Sequence, residues 1–262
     1  MVGVLTYQTL PANSLNLGTN NFTIEFWLYT TSTAQQAIVG STRNQNGYGS
    51  YMVNINHSGT KLRFYCRYTG ISFSYDVESG TFPINSWNHV AVTRDGANLR
   101  FFLNGTQAGS TNTSLGTDTI DNPTGAGSAS GNTALYYIGR TTDADSWGGN
   151  RLPLAGYLSN LRVVIGTAVY TSNFTPPTAS LTAISGTVLL ALQSNRFVDN
   201  SDSAHAITLV GSPKVTPFSP LATEAYDPAV NGGSAYLDGS GDYLSAADSA
   251  DFTLGNTFTI EA

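Results

Sequence analysis

The chain has 262 residues, which is enough for one large β domain or two smaller domains with a substantial apolar core. Only 11% of the residues are charged, and 11 basic against 17 acidic side chains give a net charge of -6, which excludes a nucleic-acid binder that relies on bulk electrostatics. The single cysteine, Cys66, excludes an internal disulfide framework and a cysteine-based zinc site.

Two segments show apolar residues at every second position, the period of a β-strand with one buried face. They are FTIEFWLY at 22–29 and KLRFYCRY at 61–68. With the segment 87–109, they supply the side chains that we expect between two sheets: Phe22, Ile24, Phe26, Leu62, Phe64, Val90, Val92, Phe101 and Leu103. The opposite face of the first strand carries Thr23, Glu25, Trp27 and Tyr29 and is expected to be wet or only partly covered.

The segment WNHVAVTRDGANLRFFLNGTQAG, residues 87–109, predicts a three-strand antiparallel meander. Asp95-Gly96 and Asn104-Gly105 separate its three β-prone runs, and both dipeptides tolerate a positive φ. No segment has a convincing helical period. Further strands are predicted at 37–40, 51–56, 71–77, 135–140, 157–165, 188–193, 206–210 and 234–237.

Two stretches lack strand patterning. Residues 110–133 are rich in glycine and predict a flexible surface loop, whereas residues 213–231 contain four prolines and predict an extended linker. Many short strands separated by turns of Gly and Asn favour an all-β sandwich or barrel.

An internal repeat links the two ends of the chain. The words LGTNNFTIEF at 17–26 and LGNTFTIEA at 254–262 share Phe-Thr-Ile-Glu with an offset of 236 residues, from Phe22 to Phe258. We therefore expect the visible part of a tandem protein. Residues 1–185 would form a sandwich without its opening strands, 186–212 would open the next module or complete the first, 213–231 would be a linker, and 232–262 would begin a second copy.

Three segments resemble a known family: residues 232–262, the meander at 87–109, and GYLSNLRVVIGTAVYTSNFTPPT at 156–178. They are similar to the laminin G-like, concanavalin A-like jelly roll, in the form found as tandem modules in structural proteins of marine bacteriophages. LLALQSNRFVDNSD at 189–202 would open the next such module. The resemblance implies an antiparallel two-sheet β-sandwich, binding loops at one rim, and roles in carbohydrate binding or virion assembly.

The loop TTDADSWGGN, residues 141–150, is the candidate ligand site. Trp147 could stack on a sugar, while Asp143, Asp145 and Asn150 offer oxygens for hydrogen bonds. Asp143 and Asp145 are also candidate calcium ligands, and related modules bind calcium at a sandwich rim. The alternative is that both aspartates only form turns with their own backbone amides. Calcium is the one cofactor that the residues suggest.

No pattern of catalytic residues is present. The four glutamates, at 25, 78, 224 and 261, lack the spacing of the paired carboxylates used by glycoside hydrolases on this fold. His89 lies within a predicted strand without a nucleophile motif, so we interpret it as a structural histidine. Trp87, at the start of the meander, is expected to fill the core.

The strands near 188–193 and 206–210 would be costly to leave unpaired. Either they fold back to complete the first sandwich, or they are donated to a neighbouring copy and join subunits head to tail, which is the alternative that the tandem pattern favours. Expected partners are therefore further copies, other virion proteins, or cell-surface glycans, with no nucleic acid.

The N-terminus lacks the basic and apolar regions of a signal peptide, and no run approaches the roughly 18 apolar residues of a membrane span. We expect that the protein does not insert into membranes. We expect it to act outside cells and to be released by cell lysis as part of a virion. The predicted function is a non-enzymatic structural or adhesive module of an extracellular assembly, most simply a phage virion. The alternative is a lectin-like domain of a bacterial surface protein or filament.

Overall fold

The structure is a computed structural model, which describes residues 7–11, 14–41, 51–57, 61–68, 71–78, 82–121, 136–140 and 152–221. The chain divides into two compact units, Met1–Thr223 and Glu224–Ala262, and every described residue belongs to the first. In the described ranges there is no helix that is long and apolar enough to cross a membrane.

Thirteen strands form two antiparallel sheets within the described residues. The seven-stranded sheet has the order β13-β1-β10-β3-β4-β5-β6 and is built from β13 (Thr208–Val210), β1 (Tyr7–Leu10), β10 (Tyr136–Ile138), β3 (Gln36–Ser41), β4 (Tyr51–His57), β5 (Lys61–Tyr68) and β6 (Ile71–Glu78). The six-stranded sheet has the order β12-β11-β2-β7-β8-β9 and is built from β12 (Thr187–Ala191), β11 (Gly156–Ile165), β2 (Phe22–Thr30), β7 (Trp87–Asp95), β8 (Asn98–Leu103) and β9 (Thr106–Asn112).

The core lies between the two sheets, where the alternating apolar residues of both inner faces meet. Eight of the nine predicted core side chains are fully buried, and the ninth, Leu103, is partly buried against the same cluster. Phe64 stacks on Phe22 with ring centroids 5.5 Å apart, so the two sheets contact each other through aromatic rings. Burial also raises the pKa of the Cys66 thiol to about 12, which keeps it protonated and unreactive at neutral pH.

The predicted all-β sandwich and the meander are confirmed, and β5 has the bounds that the alternation indicated. Two predictions are wrong in detail. The loop predicted from residue 110 begins later, because β9 runs to Asn112 as the edge strand of the six-stranded sheet. A four-residue strand, β1, was not predicted, since four residues are too few for a readable period.

Strands β12 and β13 pair within the same chain. Leu189 of β12 lies opposite Val163 of β11, and Leu209 of β13 lies opposite Gln8 of β1. In the structure neither strand is therefore left to be donated to a neighbouring copy, which differs from the alternative that the tandem pattern favoured. The reason is geometric. Without β12 and β13, one edge of β11 and one edge of β1 would expose unpaired backbone groups, and the returning strands pair with these edges.

Candidate functional site: an aromatic groove at one end of the six-stranded sheet

The outer face of the six-stranded sheet carries polar and aromatic side chains in rows that cross the strands. The antiparallel register puts Trp87 of β7 opposite Tyr29 of β2, and Tyr29 opposite Tyr157 of β11. These three residues, which we call the aromatic row, therefore lie side by side at the same level of three adjacent strands. Their ring centroids are 5.9 Å apart for Tyr29 and Trp87, and 6.0 Å apart for Tyr29 and Tyr157.

A fourth ring, from the segment after β13, packs on the aromatic row. The centroid of Phe218 lies 4.9 Å from Tyr29, 4.9 Å from Tyr157 and 5.2 Å from Trp87. Both Tyr157 and Phe218 remain open to solvent, with 42% and 45% of their surface exposed. Large aromatic side chains usually bury most of their surface, so two exposed rings in contact mark a surface suited to binding.

An open groove of about 880 Å³ is lined by three of these rings, those of Tyr29, Tyr157 and Phe218. Its volume is within the range of small-molecule sites, roughly 300 to 1,000 Å³. The walls come from the start of β11, from the turn after β12, and from residues 212–219. Polar side chains also line the groove, and those with hydrogen-bonding groups include Gln8, Ser159, Gln193, Ser194, Asn195, Ser212, Thr216 and Ser219.

Local backbone geometry fixes the groove. Gly156 begins β11 where a Cβ atom would overlap the carbonyl oxygen of Tyr29, so only glycine lets the two strands approach there. The strand then bulges between Ser159 and Arg162, with Asn160 at a φ of +52°. The Asn160 backbone amide donates to Leu192 O at 2.9 Å, which ties the bulge to the turn after β12.

Two carboxamide oxygens in the groove wall have no hydrogen-bond partner among the described residues. They are Oε1 of Gln8, a side chain with 6% exposure, and Oε1 of Gln193. A buried acceptor without a donor costs on the order of 1 to 3 kcal/mol. A ligand that brings hydroxyl donors into the groove could supply these missing hydrogen bonds after small side-chain movements.

Further along the same face, a second group of polar side chains surrounds Glu25 and His89, which are fully buried. The Glu25 carboxylate accepts hydrogen bonds from Arg162, whose Nε lies 2.9 Å and whose Nη2 lies 2.5 Å from Oε1. Tyr170 donates its hydroxyl to Oε2 at 2.8 Å, and His89 Nε2 lies 3.2 Å from the same oxygen. Since an ionised carboxylate only accepts, the pattern assigns the proton to His89 Nε2.

This buried network is covered by residues 166–186, which we call the covering segment. Thr23 donates to Thr167 O at 3.1 Å and accepts from the Val169 amide at 2.8 Å. Arg162 Nη1 donates to Thr182 O at 2.9 Å. Glu25 and His89 are both 0% exposed, so neither can reach a substrate. The network holds the covering segment on the sheet and has no access for catalysis.

Electrostatics of the network point to an ionised Glu25. Burial by itself raises the pKa of the Glu25 carboxyl, but the hydrogen bond from His89 and the charge of Arg162 more than offset it and hold the pKa below its ordinary value. Burial, followed by the negative charge of Glu25, raises the pKa of the Tyr170 hydroxyl, which stays a donor at any physiological pH.

The lowered pKa of Glu25 predicts that acid destabilises the fold. A carboxyl with a lower pKa in the folded than in the unfolded chain contributes its full stability above the unfolded pKa, near 4.5, and loses it as the pH falls through the folded pKa. We expect the free energy of unfolding in urea to decrease below about pH 4.5, and Glu25→Gln to remove part of that decrease. An unchanged pH dependence in Glu25→Gln would assign the acid sensitivity to other carboxyls.

The predictions for individual site residues have different outcomes. Asp143, Asp145, Trp147 and Asn150 lie outside the described residues. His89 is structural, as predicted, through its contact with Glu25. The prediction that Trp87 fills the core is wrong, because Trp87 is only partly buried and packs on the outer face against Tyr29 and Phe218.

Sequence reasoning missed the groove. Alternation had put Tyr29 on the less buried face, and Tyr157 lies at the start of a predicted strand, so both positions were visible as outward-facing aromatics. What the sequence does not give is the register that aligns Tyr29, Trp87 and Tyr157. Phe218 carries no local signal, because it lies in the proline-rich stretch that was interpreted as a linker.

Comparison with known structures finds similar proteins at low sequence identity. A candidate carbohydrate-binding protein from Bacteroides ovatus matches with a TM-score of 0.53 and 16% identity over 81% of this chain, which spans 62% of that protein. A heptameric SAP-like pentraxin from Limulus polyphemus matches with a TM-score of 0.49 and 11% identity over 82% of this chain and 93% of its own. The carbohydrate-binding module CBM40 of the Ruminococcus gnavus IT-sialidase matches with a TM-score of 0.44 and 16% identity over 64% of this chain and 91% of its own.

Comparison with curated sequences returns no relative. The profile of the concanavalin A-like lectin/glucanases superfamily matches residues 3–167, which is more than half of the chain and includes strands β1 to β11. Two antiparallel sheets of seven and six strands around one apolar core are the architecture that the sequence resemblance implied. The chain belongs to the concanavalin A-like lectin/glucanases superfamily.

Proposed function

We propose that the chain is a non-enzymatic, glycan-binding module of an extracellular assembly and that the aromatic groove is its binding site. The observation that carries this proposal is the contact of two exposed rings, Tyr157 and Phe218, within a groove lined by amides and hydroxyls. A pyranose has one apolar C–H face and a rim of hydroxyls, so it needs an aromatic surface and hydrogen-bonding groups side by side.

The groove also suits binding better than catalysis. A glycoside hydrolase needs two carboxyl groups about 5 to 10 Å apart across the scissile bond. The lining residues that the structure describes include no aspartate or glutamate. Glu25, whose carboxylate contacts His89, is buried beneath the covering segment. The described groove residues can hold and orient a sugar through stacking and hydrogen bonds, and they do not include the carboxyl pair that most glycoside hydrolases use.

The first test measures binding on a glycan array and then the affinity of a selected oligosaccharide by calorimetry. We expect Tyr157→Ala to weaken binding about tenfold, which corresponds to about 1.4 kcal/mol, because one stacking surface is lost. Trp87 lies against Phe218, so ligand binding should also change its fluorescence, and Trp87→Phe should reduce that change.

The control for this test is Ile184→Ala. Ile184 is as exposed as Tyr157, at 40%, but does not line the groove. Its substitution should leave the affinity unchanged. Equal affinities of the Tyr157→Ala, Phe218→Ala and unsubstituted proteins would show that glycans bind elsewhere or not at all.

A second site, the loop with Asp143, Asp145, Trp147 and Asn150, stays a proposal. In the described parts of the chain no group of three His, Cys, Asp or Glu side chains could hold a metal ion. Asp143 and Asp145 of this loop are the calcium ligands that we propose. The described flanks of the loop lie on the seven-stranded sheet: Arg140 lies over the ring of Tyr137, and Leu152 packs with Ala37 and Met52.

We expect calcium to raise the melting temperature of the protein and the double variant Asp143→Ala/Asp145→Ala to abolish this increase. The reason is that an ion bound only by the folded state stabilises it, by an amount that grows with the logarithm of the ratio of ion concentration to Kd. Differential scanning fluorimetry with calcium or with EDTA measures the effect. A calcium-dependent increase that survives in the double variant would assign the ion to other residues.

The assembly that we propose is a phage virion, supported by the resemblance to tandem modules of marine bacteriophage structural proteins and by the repeat of Phe-Thr-Ile-Glu at 22–25 and 258–261. A place on a bacterial surface or filament is the alternative. Mass spectrometry of the intact source protein tests the tandem arrangement, and a subunit well above 27.7 kDa is the expected result.

A further inference from the structure

The charges of the groove differ from those of the chain as a whole. The chain has 17 acidic and 11 basic residues and a net charge of -6. Among the described residues that line the groove are two of the basic residues, Arg196 and Lys214, and none of the acidic ones. A net negative charge tends to repel anions from the protein surface. The two cations give the groove the opposite local charge, which attracts anions.

Arg196 and Lys214 are also not paired with a carboxylate of any described residue. Both are exposed, and neither forms an ion pair within the part of the chain that the structure describes. Two other described arginines are paired with carboxylates: Arg63 with Asp76, and Arg162 with Glu25. The two groove cations are thus available for a ligand.

The two cations come from separate segments that flank the same rings. Arg196 lies in the turn after β12, next to the polar side chains of Gln193 and Asn195, and Lys214 lies four residues before Phe218. An arginine can hold a carboxylate or sulfate through two parallel hydrogen bonds, while a lysine adds a point charge. Rings, amides and two cations together match a sugar that carries an acidic group.

From this arrangement we infer that the ligand of the groove is an anionic glycan, in which the sugar ring packs on Tyr157 and Phe218 while its carboxylate or sulfate is bound by Arg196 and Lys214. This inference rests on the proposed glycan-binding function and adds the class of glycan. Neutral oligosaccharides of the same size could use the rings and the amides but not the two cations, and should bind more weakly.

The test compares three probes by calorimetry: a galacturonic acid oligosaccharide, the same oligosaccharide after carboxyl reduction to its neutral form, and a sulfated galactan oligosaccharide. We expect the acidic probes to bind at least about tenfold more tightly than the neutral one at low salt. Added salt should weaken the binding of the acidic probes and leave that of the neutral probe nearly unchanged. Preference for carboxylate over sulfate, or the reverse, identifies which acidic group the cations select.

The variant Arg196→Gln/Lys214→Gln should remove the preference for acidic probes while the neutral probe binds as before. Lys61→Gln is the control, because Lys61 lies on β5 of the other sheet and its loss also lowers the overall charge. Equal affinities of the unsubstituted protein for acidic and neutral probes, both weakened by Tyr157→Ala, would overturn the anionic preference and leave glycan binding intact. Absence of binding by all three probes would overturn both.

Discussion

Phe64→Ala should lower the free energy of unfolding by about 3 to 5 kcal/mol. Phe64 is 0% exposed in the core, where its ring lies 5.5 Å from that of Phe22 and 5.9 Å from that of Tyr51. Its removal leaves a cavity between the two sheets that a close-packed interior cannot fill by relaxation. Urea unfolding of the full chain, followed by tryptophan fluorescence, measures the loss.

Arg63→Ala is the control from the neighbouring position, whose side chain points to the opposite face of β5. Arg63 pairs with Asp76, which keeps about a quarter of its side chain in solvent. The water around this pair screens its charges, so its loss should cost less than about 2 kcal/mol. Equal destabilisation by Phe64→Ala and Arg63→Ala would contradict the assigned register of β5.

Arg162→Met should destabilise the fold by a similar amount, about 3 to 5 kcal/mol, for a different reason. The substitution keeps much of the apolar stem but leaves the ionised Glu25 with only His89 and Tyr170 as donors. An ionised carboxylate that is buried without a cation destabilises the folded state, because it has lost its hydration and no positive charge compensates for that loss. Differential scanning calorimetry and urea unfolding both measure the effect.

Arg100→Met is the matched control for this prediction. Arg100 is 4.0 Å from Asp95, whose side chain is 43% exposed, so the substitution should cost about 1 kcal/mol or less. In the double variant Glu25→Met/Arg162→Met no buried charge is left alone. Its cost should be smaller than the sum of the two single substitutions. Strict additivity would mean that the two side chains do not stabilise each other.

The inner faces of the sheets were predictable from the sequence because burial there follows the two-residue period. In β5 the alternation of Leu62, Phe64 and Cys66 is uninterrupted, and the strand has the predicted bounds. The outer face of β2 was not predictable in this way. Thr23 and Glu25 are as deeply buried as Phe22, because the covering segment, which has no period of its own, returns from more than 140 residues away.

The aromatic groove was also not predictable from the sequence, because it depends on contacts between distant segments. Tyr29 lies at a position that the sequence marks as outward and Phe218 lies in an irregular stretch, but the geometry of the groove depends on which strands are neighbours. Tyr29 and Tyr157 are 128 residues apart in the chain and directly opposite in the sheet. A local pattern contains no information on such pairings, whereas the bulge at Asn160 and the close approach at Gly156 follow from them.

The position of β1 has a consequence for how the chain folds. In the seven-stranded sheet β1 lies between β10 and β13, and Gln8 is paired with Ile138 on one side and Leu209 on the other. These pairings close loops of 130 and 201 residues, whereas those of β4 with β5 and β5 with β6 are local. Non-local pairing slows folding, because the loop entropy is lost before the contacts form. During synthesis β1 therefore stays without either neighbour until residue 138 has left the ribosome, and the local strands β4 to β6 have the opportunity to form first.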